Sequence, residues 1–117
     1  SDGTLHWLVL GLILLDEESH SPLFLDEPEL GLHPDAIRSL GDLLRSASTR
    51  RQIIVNTHSS LLVSAFSDQP ECVYAFDRDE RGTRVERVNS KLIASWQKRG
   101  ESLGEIWAAG AIGGNRW

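Results

Sequence analysis

The chain has no methionine, a single cysteine and no apolar run long enough to cross a bilayer. With Cys72 alone, a disulfide framework is excluded and a reducing compartment is expected, with the thiol buried as a small structural group. The longest apolar run, Trp7 to Leu15, has nine residues. A membrane-spanning helix takes about 20. A cytoplasmic protein with no membrane contact is therefore expected. Basic excess is also lacking: the net charge is -5, so bulk electrostatics make no case for nucleic acid or an anionic surface. Because Ser1 comes first and no methionine follows, the 117 residues are expected to be one domain or one piece of a larger protein.

What is present is ordinary in bulk and uneven in detail. Hydrophobic residues make up 40% and charged residues 25%, enough apolar material for a core. Between Asp16 and Asp35 there are seven acids and no lysine or arginine. Between Arg78 and Arg99 there are seven bases against three acids. An acidic stretch followed by a basic one suits an acidic site plus a contact surface. The basic stretch read alone is the solvated face of ordinary elements.

The pattern predicts an α/β fold. Thr4 to Leu15 has no polar face beyond His6, which predicts a helix buried nearly all round, capped by Ser1 or Asp2. Pro22 to Leu25 predicts a short strand buried on both faces, as in a parallel sheet. Pro34 suits the first position of a helix reaching about Ser48, with Ala36, Ile37, Leu40, Leu43 and Leu44 as its buried stripe. Ile53 to Val55 predicts a second strand, so that strand, helix and strand form a crossover in a parallel sheet. Ser59 to Phe66 predicts a short helix. Glu71 to Asp77 and Thr83 to Val88 predict a hairpin around Asp79-Glu80-Arg81-Gly82. Ser90 to Arg99, with Leu92, Ile93 and Trp96 on one side, predicts an amphipathic helix, and Leu103 to Ala109 a last short one.

Three places can carry chemistry. Asp26 and Glu27 end the first apolar strand, and neighbouring residues there point different ways, so the two carboxylates can take different tasks. One can hold a divalent cation through water while the other deprotonates an attacking water. The plain structural alternative is a pair that caps backbone N–H groups. His58 follows the second strand directly, at the carboxyl edge where open α/β sheets bind ligands, and its imidazole could donate to a phosphate oxygen. Ser1-Asp2-Gly3-Thr4 is a small turn entering a helix N-terminus, a ready place for an anion and equally a plain N-cap. His33 fits a position just before a helix start.

In this order, the Gly-containing turn and helix, the strand ending in Leu23-Phe24-Leu25-Asp26-Glu27-Pro28, the next helix, and the strand leading to Thr57-His58-Ser59 resemble the second half of an ABC-type ATPase head. The resemblance is closest to soluble ATPases related to the chromosome-maintenance and DNA-repair group. It assigns the signature motif to Ser1-Asp2-Gly3-Thr4, Walker B to Leu23 to Asp26, the D-loop to Glu29-Leu30-Gly31-Leu32-His33-Pro34 and the switch histidine to His58. Ser102 to Trp107, with Gly113-Gly114-Asn115-Arg116-Trp117, is similar to the C-terminus of that group. The implied fold is a partial P-loop NTPase: a parallel sheet core, flanking helices and a C-terminal β-hairpin.

The resemblance implies ATP and Mg²⁺ as cofactors. Asp26 would ligand the metal, Glu27 would be the catalytic base, and His58 would sense the γ-phosphate. Ser1, Asp2 and Gly3 would meet ATP held mainly by a second protomer, so that a homodimer forms through the signature motif and the D-loop. DNA, or a protein of repair or defence machinery, is an implied partner. No Gly-x-x-x-x-Gly-Lys-Ser/Thr segment occurs in these residues. A Walker A lobe is thus the first partner required, and the chain alone is expected to be inactive. A nucleotide-free interaction or regulatory module with the same fold is the alternative. A metal-dependent nuclease or phosphatase built on the acidic stretch is a more distant one.

Overall fold

The computed structural model describes residues 1–114. Asn115, Arg116 and Trp117, the last part of the C-terminal resemblance, lie outside the described residues. The chain divides into a first unit of residues 1–62 and a second from residue 63 onward.

In the first unit, strands β1 (Leu23–Asp26) and β2 (Ile53–Asn56) pair in parallel, with helix α2 (Pro34–Ala47) between them in sequence. The register sets Leu23 opposite Ile53 and Asp26 opposite Asn56. Both strands alternate between half-buried and exposed residues, unlike the two-sided burial expected from their composition. Phe24 and Ile54 form one cross-strand pair and are 71% and 47% exposed. Among the described residues only one face of this sheet is covered, whereas parallel sheets ordinarily need helices on both.

Helix α1 (Asp2–Leu14) departs from expectation in the same way. It is apolar all round, yet only Leu10 and Leu14 are buried, while Leu5, Leu8, Val9 and Leu12 are exposed. Within this unit α1 packs on α2, and one contact face cannot shelter a helix that has no polar side. Ser1 is the cap: its Oγ accepts from the Thr4 N–H at 3.2 Å. At the other end the Arg50 guanidinium donates to the Leu14 carbonyl at 2.9 Å, satisfying an orphan acceptor of the last turn.

Helix α2 follows its sequence pattern closely. Leu40, Gly41, Leu44 and Ala47 are buried, and Ala36, Ile37 and Leu43 are half-buried. Pro34 occupies the first turn, and His33 caps it through Nδ1, which accepts from the Asp35 N–H at 3.3 Å.

Helix α3 (Ser60–Ser64) runs across the division between the units. The second unit continues with a 3₁₀ turn (Pro70–Cys72), the antiparallel hairpin β3 (Tyr74–Asp79) and β4 (Gly82–Arg87), and helices α4 (Ser90–Lys98) and α5 (Leu103–Ala108). Its core is Val63, Val88, Ile93, Leu103 and Ile106, with Val73, Trp96, Trp107 and Ile112 packed around it. Ser64 and Ser67 hold α5 in place: Ser64 Oγ accepts from the Gly104 N–H at 3.1 Å and Ser67 Oγ from the Leu103 N–H at 2.8 Å. A capping box between Ser102 and Glu105 starts that helix. Two expectations fail here. Cys72 is exposed on the 3₁₀ turn, because the hairpin begins at Tyr74, three residues later than the Glu71 its composition suggests. Leu92 is exposed, one helical step off the buried line of Ile93.

Two stability predictions follow from the first unit. Leu40 is fully buried in α2, so Leu40→Ala should lower unfolding free energy by about 2–5 kcal/mol in urea denaturation. Two glycines of α1 should respond oppositely. A Cβ at Gly11 meets nothing within 4 Å, so Gly11→Ala should stabilise by roughly 0.5–1 kcal/mol. A Cβ at Gly3 would lie 2.5 Å from the Gly31 carbonyl oxygen, so Gly3→Ala should destabilise in the same assay.

Candidate functional site

The parallel register brings the carboxyl ends of β1 and β2 side by side, and Asp26, Glu27 and His58 lie there. Asn56, directly opposite Asp26, donates from Nδ2 to Asp26 Oδ1 at 2.6 Å. That bond fixes one carboxylate oxygen and leaves Oδ2 at an exposed strand end. The ladder runs one residue further, since the Glu27 N–H donates to the Asn56 carbonyl at 2.8 Å.

Glu27 then leaves the strand conformation. Its φ is 46°, the left-handed region that L residues other than glycine seldom occupy. Such a backbone costs on the order of 1–3 kcal/mol and collects at functional sites. The turn puts Glu27 Oε1 3.4 Å from His58 Nε2. The two side chains are 33% and 49% exposed, so water screens the pair and its contribution to stability is small. What the contact fixes is mutual placement: the acid from one strand end faces the imidazole from the next.

A third acid lies behind them. Glu29, two residues beyond Glu27, is 8% exposed. Its Oε1 accepts from the Thr57 hydroxyl and from the His58 N–H, the latter at 3.3 Å. Thr57 Oγ1 in turn accepts from the Ser59 N–H at 3.0 Å. Sequence reasoning gave no separate role to Glu29 or Asn56. The signal for Asn56 was there, because two apolar strands ending in Asp and Asn at matched positions imply a cross-strand pair. Nothing in the pattern around Glu29, a turn segment with Pro28 and Gly31, marks its carboxyl as buried.

Ser1, Asp2 and Gly3 are engaged differently. Ser1 Oγ lies 2.9 Å from Thr4 Oγ1 and caps α1, and Asp2 is an exposed acid of the first turn. Gly3 lies against the Gly31 backbone, which has φ 75°. The structure thus joins the start of α1 to the loop that follows the acid pair.

The donor set can be tested against a divalent cation and a triphosphate. No group of three or more His, Cys, Asp or Glu able to cage a metal forms among the described residues. Mg²⁺ does not require one, since it usually keeps several waters and takes one or two carboxylates together with substrate phosphates. Asp26, anchored through Oδ1 at an exposed strand end, fits that mode. No helix among the described residues is long and apolar enough to cross a membrane.

The Old nuclease of Escherichia phage P2 is 44% identical over 83 residues, which are 70% of this chain and 14% of that protein. The chain therefore spans about a seventh of that relative's length. A solved structure described under "Structural biochemistry of ATP-driven dimerization and DNA stimulated activation of SMC ATPases" superposes with a TM-score of 0.61 at 16% identity. The match covers 87% of this chain and 63% of that one, and it shows the α/β fold, a parallel sheet with helices, to be SMC-like. Residues 1–64, holding β1, β2 and every residue of the site, match the family described as "AAA domain, putative AbiEii toxin, Type IV TA system", and the chain belongs to that family, an ATPase-like AAA domain with an SMC-like fold.

Proposed function

We propose that this domain is the C-terminal lobe of an ABC-type ATPase head that hydrolyses ATP as a nucleotide-sandwiched dimer. The observation that carries the reading is the 3.4 Å approach of Glu27 Oε1 to His58 Nε2 at the carboxyl ends of a parallel strand pair. Glu27 is the general base: its carboxylate accepts the proton of the attacking water. His58 orients toward the γ-phosphate and stabilises its charge through a hydrogen bond from the imidazole. Asp26, steadied by Asn56, would hold Mg²⁺ through water, and the ion would supply neutralisation of phosphate charge. Phosphoryl transfer of this kind rests on positioning and charge more than on covalent chemistry.

These residues do not supply the phosphate cradle, because no Gly-x-x-x-x-Gly-Lys-Ser/Thr segment occurs among them. A Walker A lobe is therefore the required partner. The exposed apolar sides of α1 and of the Phe24–Ile54 pair are the kind of surface such a lobe would cover. Ser1, Asp2 and Gly3 would meet the nucleotide of a second protomer, with the Gly3–Gly31 contact linking the signature turn to the D-loop. DNA, or a protein of repair or defence machinery, is the proposed further partner, in line with the DNA-stimulated activation named for the SMC neighbour.

In the complete protein, Glu27→Gln should lower kcat for ATP by about 10²–10⁴-fold while ATP binding persists. Light scattering should then show an ATP-bound dimer in that variant. Hydrolysis at the wild-type rate by Glu27→Gln would end the reading. The 117-residue chain alone should release no phosphate from ATP, and turnover by it that Glu27→Gln abolished would show that no second lobe is needed.

A further inference from the structure

We infer that Glu29 is a positioning residue, whose buried carboxyl ties the loop after the acid pair to the Thr57-His58-Ser59 turn and thereby sets where His58 stands relative to Glu27. The inference rests on the reading of Glu27 and His58 as partners in hydrolysis, and it adds what holds them in place.

Glu29 is the one polar or charged residue buried among the described residues. Burial of a carboxyl is costly unless hydrogen bonds replace water, so the donors it meets define its role. Both reach Oε1, and both come from the histidine turn: the Thr57 hydroxyl and the His58 N–H. Oε2, also buried, has no hydrogen-bond partner among the described residues. All the protein hydrogen bonds found for this carboxyl therefore run to one place.

The turn is wired onward from there. A hydroxyl can donate once and still accept, and Thr57 does both, donating to Glu29 and accepting from the Ser59 N–H. Ser59 Oγ then accepts from the Leu62 N–H at 3.2 Å, capping α3. His58 sits between the two residues that carry this relay. Its side chain is half exposed, and that of Glu27 is a third exposed. The ring faces Glu27 Oε1 at 3.4 Å, and the backbone that carries it is held by Glu29. The strand ladder pins Asp26 and Glu27 to Asn56, and Glu29 pins the next residues of one loop to the next residues of the other.

The consequence is that movement of the loop from Glu29 to Pro34 would carry His58 with it. Loss of the tie should therefore cost catalysis more than nucleotide affinity, since displacement of about 1 Å at a site can cost about 10²-fold in rate.

The test uses the complete protein with three substitutions. Glu29→Leu keeps the apolar bulk and removes the acceptor. Thr57→Val keeps the shape and removes the hydroxyl. Glu29→Gln keeps an acceptor oxygen. Glu29→Leu and Thr57→Val should each lower kcat for ATP about tenfold or more with KM within about twofold, and the double variant should be little worse than either, because both cut one connection. Hydrogen exchange at the His58 amide should speed up in Glu29→Leu, while Glu29→Gln should stay near wild type in both rate and exchange. Unchanged kcat in folded Glu29→Leu and Thr57→Val would overturn the inference. So would a Glu29→Gln variant as slow as Glu29→Leu, since charge rather than placement would then be at work. A wild-type protein that turns over no ATP would defeat the parent reading, and the exchange comparison would still decide whether Glu29 holds the histidine turn.

Discussion

Asp26 and Asn56 face each other across the parallel pair of β1 and β2, and the rest of the site is laid out from that register. A slip of one residue would turn Leu23 and Leu25 toward the exposed side and carry Asp26 away from Asn56. In the observed register the amide steadies the carboxylate, the ladder extends to Glu27, and the next residues of each strand end in loops that touch. Glu27 faces His58 with its backbone turned left-handed at the point where the strand stops. Placement of these side chains at strand ends uses the stiffness of the sheet and spends a strained dihedral at a single residue.

The apolar surfaces that remain exposed belong to the same design. A helix without a polar side and a strand pair with Phe24 and Ile54 facing solvent are composed for an interior. Within residues 1–62 their cover is partial: α2 takes one side of α1, and one side of the sheet is filled. The second unit differs in character. It has its own closed cluster around Ile93, Leu103 and Ile106, and its short α5 is fastened by serine hydroxyls and a capping box rather than by length. Its hairpin carries arginines at Arg78, Arg81, Arg84 and Arg87 in exposed positions, as the charge pattern of that stretch implied.

Much of this was legible beforehand, element by element. The α2 stripe appears where the spacing of Leu40 and Leu44 placed it, because that helix has one apolar and one polar side and only one way to lie. The two strands, the hairpin and the last helix shift by a few residues at their ends, where local turns compete with the repeat. The failures share a cause. Composition shows that α1 and β1 are apolar, but it does not show how much neighbouring surface exists to bury them. Cys72 was misplaced because a 3₁₀ turn precedes the hairpin and takes its position, and Leu92 because it lies one helical step from the buried Ile93.

The linear order of residues by itself determined which groups are available for chemistry: an acid pair closing one strand, a histidine after the next, and a small turn before an apolar helix. It determined these because strand ends and turn residues leave local signatures that need no partner. Only the tertiary structure decided that Glu27 meets His58, that Asn56 rather than water holds Asp26, and that Glu29 is drawn inside to grip the histidine turn. Those contacts join residues about thirty positions apart, and their formation depends on the pairing register and on one unusual backbone angle, neither of which is encoded at any single position.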